Sequence, residues 1–173
     1  MIYFVRHGET DFNIEKRIQG QLDIELNQNG IAQAEKCAKN FKDFNFDVIY
    51  SSPLKRAKRT AEIINKYHNV PIILDDRLME FNAGPMQGKV FSSFSKEVQE
   101  EFLNFPERFG AEKNMDFLNR VSEFYKTIEN EQKNILIVGH GGTYRCIYMY
   151  KNKLTNADFG EVTPKNCEII EVK

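Results

Sequence analysis

Short apolar runs separated by amphipathic stretches set the pattern of this chain, and that alternation predicts an α/β arrangement. Runs rich in β-branched and aromatic residues predict strands over Ile2–Val5, Asp47–Tyr50, Pro71–Leu74, Ile135–Val138 and Glu168–Val172. Between the first two, Ile31, Ala34, Ala38 and Phe41 recur at helical spacing after Gly30, and Asn27 is placed to cap that helix. A second helix is expected with Ser52 as its cap, Pro53 in its first turn, and Ala57, Ala61, Ile64 and Tyr67 along one face. A third runs from about Met115 to Glu129 with Phe117, Val121, Phe124 and Ile128 as its apolar stripe, and a fourth follows Gly142 using Ile147 and Tyr150. The stretch from Gly84 to Asn114 breaks this rhythm. It scatters Phe91, Phe94, Phe102, Phe105 and Phe109 among polar residues, interrupted by Pro106 and Gly110. It reads as a helical excursion from the sheet packed by its own aromatics, and excursions of this length often act as lids.

The chemistry-bearing residues follow the strands. Ile2-Tyr3-Phe4-Val5 runs into Arg6-His7-Gly8, Asp47–Tyr50 into Ser51-Ser52-Pro53-Leu54-Lys55-Arg56, and Ile135–Val138 into Gly139-His140-Gly141-Gly142. Strand-to-helix connections put all three tips at carboxyl ends of strands, where open α/β sheets bind ligands. Two arginines and two imidazoles are thereby offered to one edge of one sheet, with glycines beside both histidines allowing close backbone approach. Such a group is rich in N–H donors, and guanidinium forks match phosphoryl oxygens. The positive end of the helix after Ser52 is expected to add to it. A phosphate dianion suits this site; a divalent metal does not, because the arginines repel it and no third ligand lies nearby. An imidazole whose one nitrogen bonds a backbone carbonyl presents the other as a nucleophile, so His7, the strand-end histidine between an Arg and a Gly, could carry a phosphoryl group whose charge the arginines and the second histidine stabilise. A leaving alkoxide then needs a proton, for which Glu80, Glu9 and Asp76 are candidates. His68, in Lys66-Tyr67-His68-Asn69, reads as a solvated helix end. Taken singly, each of these residues also has an ordinary structural or surface reading; the argument rests on their gathering at strand tips.

Composition narrows the classes. The chain has 173 residues, 41% of them hydrophobic, which supports one domain with a buried core. Its 24 Lys and Arg against 25 Asp and Glu give a net charge of −1, which argues against a nucleic-acid-binding surface but hides any local basic pocket. No apolar run approaches the roughly 20 residues of a membrane span, and the N-terminus lacks a signal-peptide pattern, so a soluble cytoplasmic protein is expected. Three separated cysteines form no C-x-x-C and indicate neither a disulfide framework nor a zinc knuckle.

At these residues the sequence resembles the histidine phosphatase superfamily, which includes cofactor-dependent phosphoglycerate mutases and related phosphatases. The resemblance runs in order through Phe4–Thr10 with Asn13, Arg17-Ile18-Gln19-Gly20 with Asp23, Leu26 and Gly30, Ser51–Ala57 with Thr60-Ala61, and Val138–Gly142 with Arg145. It implies a three-layer fold with a mixed, mostly parallel sheet flanked by helices, to which the excursion over Gly84–Asn114 would add a small helical lid. It implies that His7 is the nucleophile, that Arg6, Arg56 and His140 form the phosphate pocket, and that Glu80 is the general acid. Asn13, Gln19, Gly20 and Gly141 are implied as further substrate contacts, with no metal and no cofactor. Around the acid the chain departs from the family, with Met79 before Glu80, Met86-Gln87 before Gly88, and Ala111-Glu112-Lys113 before Arg120-Val121. These departures bear on substrate choice more than on chemistry.

The expected function is metal-independent hydrolysis of a small phosphorylated metabolite through a phosphohistidine on His7. Alternatives are mutase-type phosphoryl transfer, α-ribazole phosphate hydrolysis and, in a different class, a non-catalytic phosphate-binding module. A phosphohistidine protein phosphatase fits less well, because compact members of that kind tend to lack the acid.

Overall fold

A computed structural model describes residues 1–154 and 162–172 of the protein. Among these, the strands β1 (Ile2–Arg6), β2 (Val48–Ser51), β3 (Ile72–Leu74), β4 (Ile135–Gly139) and β5 (Ile169–Glu171) form one sheet in the order β3-β2-β4-β1-β5. The first four run parallel, and β5 pairs antiparallel with β1. The helices are α1 (Asp11–Ile14), α2 (Gln28–Phe41), α3 (Lys55–Asn65), α4 (Lys96–Asn104), α5 (Asn114–Ile128) and α6 (Gly141–Asn152).

The three layers follow from the period-2 alternation of each central strand. Ile2 and Phe4 of β1 and Ile135 and Ile137 of β4 enter one apolar layer with Phe117, Val121 and Phe124 of α5 and Cys146 and Ile147 of α6. Tyr3 and Val5 with Leu136 and Val138 enter the other, against Ala34 and Phe41 of α2 and Ala57 and Ile64 of α3. Burying each such large side chain contributes about 1.5–3 kcal/mol. The α/β sandwich is therefore as expected from the apolar runs, with strand ends shifted by a residue. β3 lies at the sheet edge, which leaves Ile73 and Leu74 exposed.

Helix starts are less regular than their sequence signals. Asn27 does cap α2, its side-chain oxygen accepting from the Gly30 amide at 2.8 Å. Ser52 does not cap α3. That helix begins at Lys55 with Leu54 in the cap position and no side-chain cap bond; the Lys55 amide donates instead to Asp23 Oδ1 at 2.8 Å, from a distant loop. α3 also ends at Asn65, so Tyr67 lies beyond it and is half exposed rather than on its buried face. His68 is not a solvated helix end: its ring meets Phe46 edge-on at 4.9 Å. α5 buries its expected stripe, and α6 starts at Gly141, ahead of the expected position.

Residues 84–114 form the helical insertion, built from α4 and three single 3-10 turns. Their aromatics pack on one another, with Phe102 at the centre, 6.3 Å from Phe81, 6.1 Å from Phe91 and 5.6 Å from Phe109 between ring centres. The insertion is tied to the 17–21 loop: Arg17 bridges Val90, the Gly88 amide donates to Ile18 O, and the Gln21 amide donates to Gln87 Oε1. The three cysteines are free thiols. Among the described residues no helix is long and apolar enough to cross a membrane.

Candidate active site

Strand register gathers the tips. Parallel pairing sets Arg6 of β1 opposite Gly139 of β4, and Ser51 of β2 opposite Val138. The ladder continues one residue further, with the His7 amide donating to Gly139 O at 2.9 Å and the Ser52 amide to Val138 O at 3.0 Å. His7, His140 and Ser52 therefore leave the sheet side by side. The two imidazole centres are 5.2 Å apart with their planes at 58°.

The orientation of His7 is set by its own backbone neighbourhood. Its Nδ1 lies 2.7 Å from Gly8 O; a carbonyl only accepts, so Nδ1 carries the proton and Nε2 the lone pair. Burial, aided by the Arg56 and Arg6 charges, holds the imidazole well below its usual pKa, so it is neutral at neutral pH. The Gly8 amide donates to Thr60 Oγ1 at 3.1 Å, and Thr60 Oγ1 donates to Arg56 O at 2.7 Å, so one threonine ties the β1 tip to α3. A Cβ on Gly8 would lie 2.4 Å from Gly30 O, so this approach admits glycine alone. Asn166 Nδ2 donates to His7 O at 2.8 Å from the far end of the chain.

Both arginines are held from behind by carbonyls. Arg56, fully buried, donates Nη1 to Leu22 O and Nη2 to Gly20 O, each at 2.7 Å; Arg6 donates Nη1 to Pro164 O at 2.8 Å. Burial pushes the Arg56 guanidinium down to about 10, partly offset by Glu80 and Asp23, so it stays charged at neutral pH. Arg6 Nε, Arg56 Nε and His140 Nδ1 are buried with no hydrogen-bond partner among the described residues. Buried polar atoms are normally satisfied, and three of them around one imidazole are suited to the oxygens of an anion. Among the described residues no group of three His, Cys, Asp or Glu could hold a metal ion.

Glu80 is brought to this cluster, whereas the other two carboxylates are not. Its Oε2 accepts from the Gly142 amide at 3.1 Å, in the first turn of α6, and its Oε1 from the Phe81 amide at 2.9 Å. Its charge acts on both Arg6 and Arg56. A Cβ on Gly142 would stand 2.3 Å from Glu80 Oε1, which explains the second glycine after His140. Glu9 is instead held by the side-chain amides of Asn27 and Asn29, and Asp76 is exposed. The expected helix-end contribution also moves: the α3 amide at Lys55 is used by Asp23, and the helix that starts at the site is α6.

Among the remaining implied contacts, Asn13, Gln19 and Gly20 each bond a neighbouring residue. Asn13 Oδ1 accepts from the Thr10 amide in a capping box on α1, and Gln19 Oε1 accepts from Thr10 Oγ1. Gly20, with φ +50°, offers its carbonyl to Arg56. Gly141 lies at the start of α6, where a Cβ would come 3.9 Å from the Arg6 guanidinium.

Several residues escaped the sequence reading as contributors. Arg120 of α5 donates to three carbonyls of one segment, Arg77 O at 2.9 Å, Met79 O at 2.7 Å and Glu80 O at 2.9 Å, while Glu112 grips it at 2.7 and 3.0 Å. Gln21 Nε2 donates to the same Glu80 carbonyl at 3.0 Å. Glu112 and Arg120 were visible only as a partial motif, and Gln21 and Asn166 carried no signal at all. Arg120→Ala strips the loop of its staple and is expected to cost about 2 kcal/mol of stability. It is also expected to lower kcat on the order of tenfold by misplacing Glu80, with KM changed less. Thermal melts and steady-state kinetics check both.

The comparisons with known proteins place the chain in one family. A family model described as histidine phosphatase superfamily (branch 1) matches residues 2–173. The chain is 37% identical over 148 residues to PhoE of Bacillus subtilis, named an uncharacterized phosphatase, covering 84% of this chain and 74% of that protein. It is 37% identical over 158 residues to phosphoglycerate mutase-like protein 4 of Arabidopsis thaliana, covering 85% and 69%. Its structure is similar to a phosphoserine phosphatase mutant from Entamoeba histolytica in complex with phosphoserine, with a TM-score of 0.82 and 29% identity over 97% of this chain and 87% of that one. By motif, fold and full-length match, the chain belongs to the histidine phosphatase superfamily, branch 1.

Proposed function

We propose that this protein is a phosphomonoesterase that hydrolyses a small phosphorylated metabolite through a phosphohistidine on His7. The observation that carries the reading is the His7 Nδ1 bond to Gly8 O, which leaves a neutral imidazole with its Nε2 lone pair beside the buried Arg56 and the partly buried Arg6. Phosphate oxygens bind the free N–H groups of Arg6 and Arg56 and contact His140. The Nε2 lone pair then attacks phosphorus in line with the ester oxygen. As the P–N bond forms, the P–O ester bond breaks, and the Glu80 carboxyl gives its proton to the leaving alkoxide. In the second half, the Glu80 carboxylate takes a proton from water while the water oxygen attacks phosphorus. The P–N bond breaks, orthophosphate leaves, and both groups return to their starting state. Nothing in this sequence calls on a metal, since the arginines supply the charge that stabilises the transferring group.

The resemblance to the Arabidopsis protein favours a second reading, in which the phosphohistidine returns its phosphoryl group to an organic acceptor. Water as acceptor is preferred because the segment between Glu80 and α5 is modest and packs largely on itself, which leaves little to retain a released product. The similarity to the phosphoserine phosphatase makes phosphoserine a reasonable first substrate to assay. Release of orthophosphate from an aryl phosphate and from phosphoserine, with and without EDTA, tests the proposal. Persistence in EDTA with stoichiometric phosphate release is expected; a metal requirement, or isomerised ester without phosphate, overturns it.

A further inference from the structure

Ser52 has a duty that its place in the sequence conceals. It stands where a helix cap would stand, yet α3 starts three residues later and takes no cap bond from it. The hydroxyl is fully buried and makes two bonds: Oγ accepts from the Leu54 amide at 3.3 Å, and it lies 2.8 Å from His140 Nε2. The Ser52 backbone is fixed independently, its amide on Val138 O at 3.0 Å and its carbonyl on Ser51 Oγ at 2.9 Å.

A hydroxyl has one proton and two lone pairs. The Leu54 amide donates, so it takes a lone pair, and the acceptor within reach of the hydroxyl proton is His140 Nε2. The other ring nitrogen, Nδ1, is buried without a partner among the described residues. We propose that Ser52 donates to His140 Nε2 and so fixes this imidazole as the Nδ1–H tautomer, which makes it a hydrogen-bond donor to the phosphoryl group. The opposite tautomer would send two N–H donors into Ser52 Oγ and strand the hydroxyl proton in a buried site. It would also turn an Nδ1 lone pair toward anionic oxygens. Burial and the neighbouring Arg56, His7 and Arg6 disfavour the doubly protonated ring, so in the free enzyme the choice lies between the two neutral forms.

The two histidines then share one protonation pattern and play opposite parts. His7 spends its Nδ1 proton on the Gly8 carbonyl and presents a lone pair; His140 spends its lone pair on Ser52 and presents a proton. Each assignment is made by one neighbour of the right hydrogen-bonding sense, a carbonyl in one case and a hydroxyl in the other. Ser52 touches no reacting atom in this scheme and is a positioning residue. Its role rests on the proposed phosphoryl transfer, but its test does not.

The chain has three histidines, so long-range nitrogen–proton correlation spectra of the imidazoles can be assigned with a His68→Gln variant and with the ring-proximity pattern of the other two. At neutral pH the wild-type His140 is expected to show a protonated Nδ1 and an unprotonated Nε2. Ser52→Ala is expected to erase that pattern in His140 alone and to lower kcat about 10- to 100-fold, as loss of a tautomer-fixing partner does. Ser52→Thr, which keeps the hydroxyl, is expected to retain the wild-type tautomer. A protonated Nε2 in wild type overturns the proposal, as does a Ser52→Ala variant with unchanged spectrum and turnover. If Ser52→Ala does not fold, the wild-type spectrum alone decides. Should the spectra come out as expected while His7→Ala keeps full activity, the phosphohistidine reading fails and the tautomer assignment stands.

Discussion

His7→Ala is expected to lower kcat toward phosphomonoesters by at least about 10⁴-fold, the scale seen when a nucleophile that works as part of a unit is removed. The substitution takes away the Nε2 lone pair and leaves the anion-binding groups in place. Arg56 is fixed by Gly20 O and Leu22 O, and Arg6 by Pro164 O, none of which depends on the imidazole. Orthophosphate affinity is therefore expected to stay within a few-fold of wild type by calorimetry, roughly the scatter of a single lost contact. That split separates loss of chemistry from loss of the pocket. A non-catalytic phosphate-binding module on the same fold predicts the same binding but no turnover in the wild type, so steady phosphate release by the wild type excludes it.

Glu80→Gln is expected to have the second-largest effect, and its form depends on the leaving group. With an alkyl phosphate the departing oxygen needs a proton, and kcat is expected to fall about 10²- to 10⁴-fold. With an activated aryl phosphate the first step needs little help, so His7 is still phosphorylated. The second step then lacks the base that activates water. The expected signature is a burst of phenolate equal to one per chain followed by slow turnover. Glu9→Gln serves as the control, because that carboxylate is engaged by Asn27 and Asn29. If the Glu9 variant loses activity and the Glu80 variant does not, the acid has been misassigned.

Much of the fold was legible because β1 and β4 are central strands covered on both faces. Their uninterrupted runs, Ile2–Val5 and Ile135–Val138, announce burial on both sides, and the helices between them carry clean apolar stripes. The site was legible for a related reason: its strongest residues sit directly at strand ends, so placing the strands places Arg6, His7 and His140. Glu80 needed the resemblance to separate it from Glu9 and Asp76, since nothing local distinguishes three carboxylates.

What escaped depends on contacts between distant segments. Ser52 satisfies every local criterion for a cap, but Asp23 reaches the α3 terminus first, and His140 claims the hydroxyl. Tyr67 continues the helical spacing on paper, yet α3 stops two residues earlier, and Asn65 turns back to bond both backbone groups of Val70. Arg120 looks like one more charge on an amphipathic helix; only the folded chain reveals that its fork gathers carbonyls from residues 77, 79 and 80. The net charge of −1 misled most simply, because it averages away two arginines, Arg56 buried and Arg6 partly buried, gathered at one sheet edge.

The central claim is transfer of the phosphoryl group to His7, and rapid quenching with a radiolabelled phosphomonoester tests it most directly. The account predicts one acid-labile, alkali-stable label per chain, formed at least as fast as turnover, mapping to the peptide that contains His7 and absent from His7→Ala. A label on another residue, or full turnover with no labelled protein at any time, would contradict it.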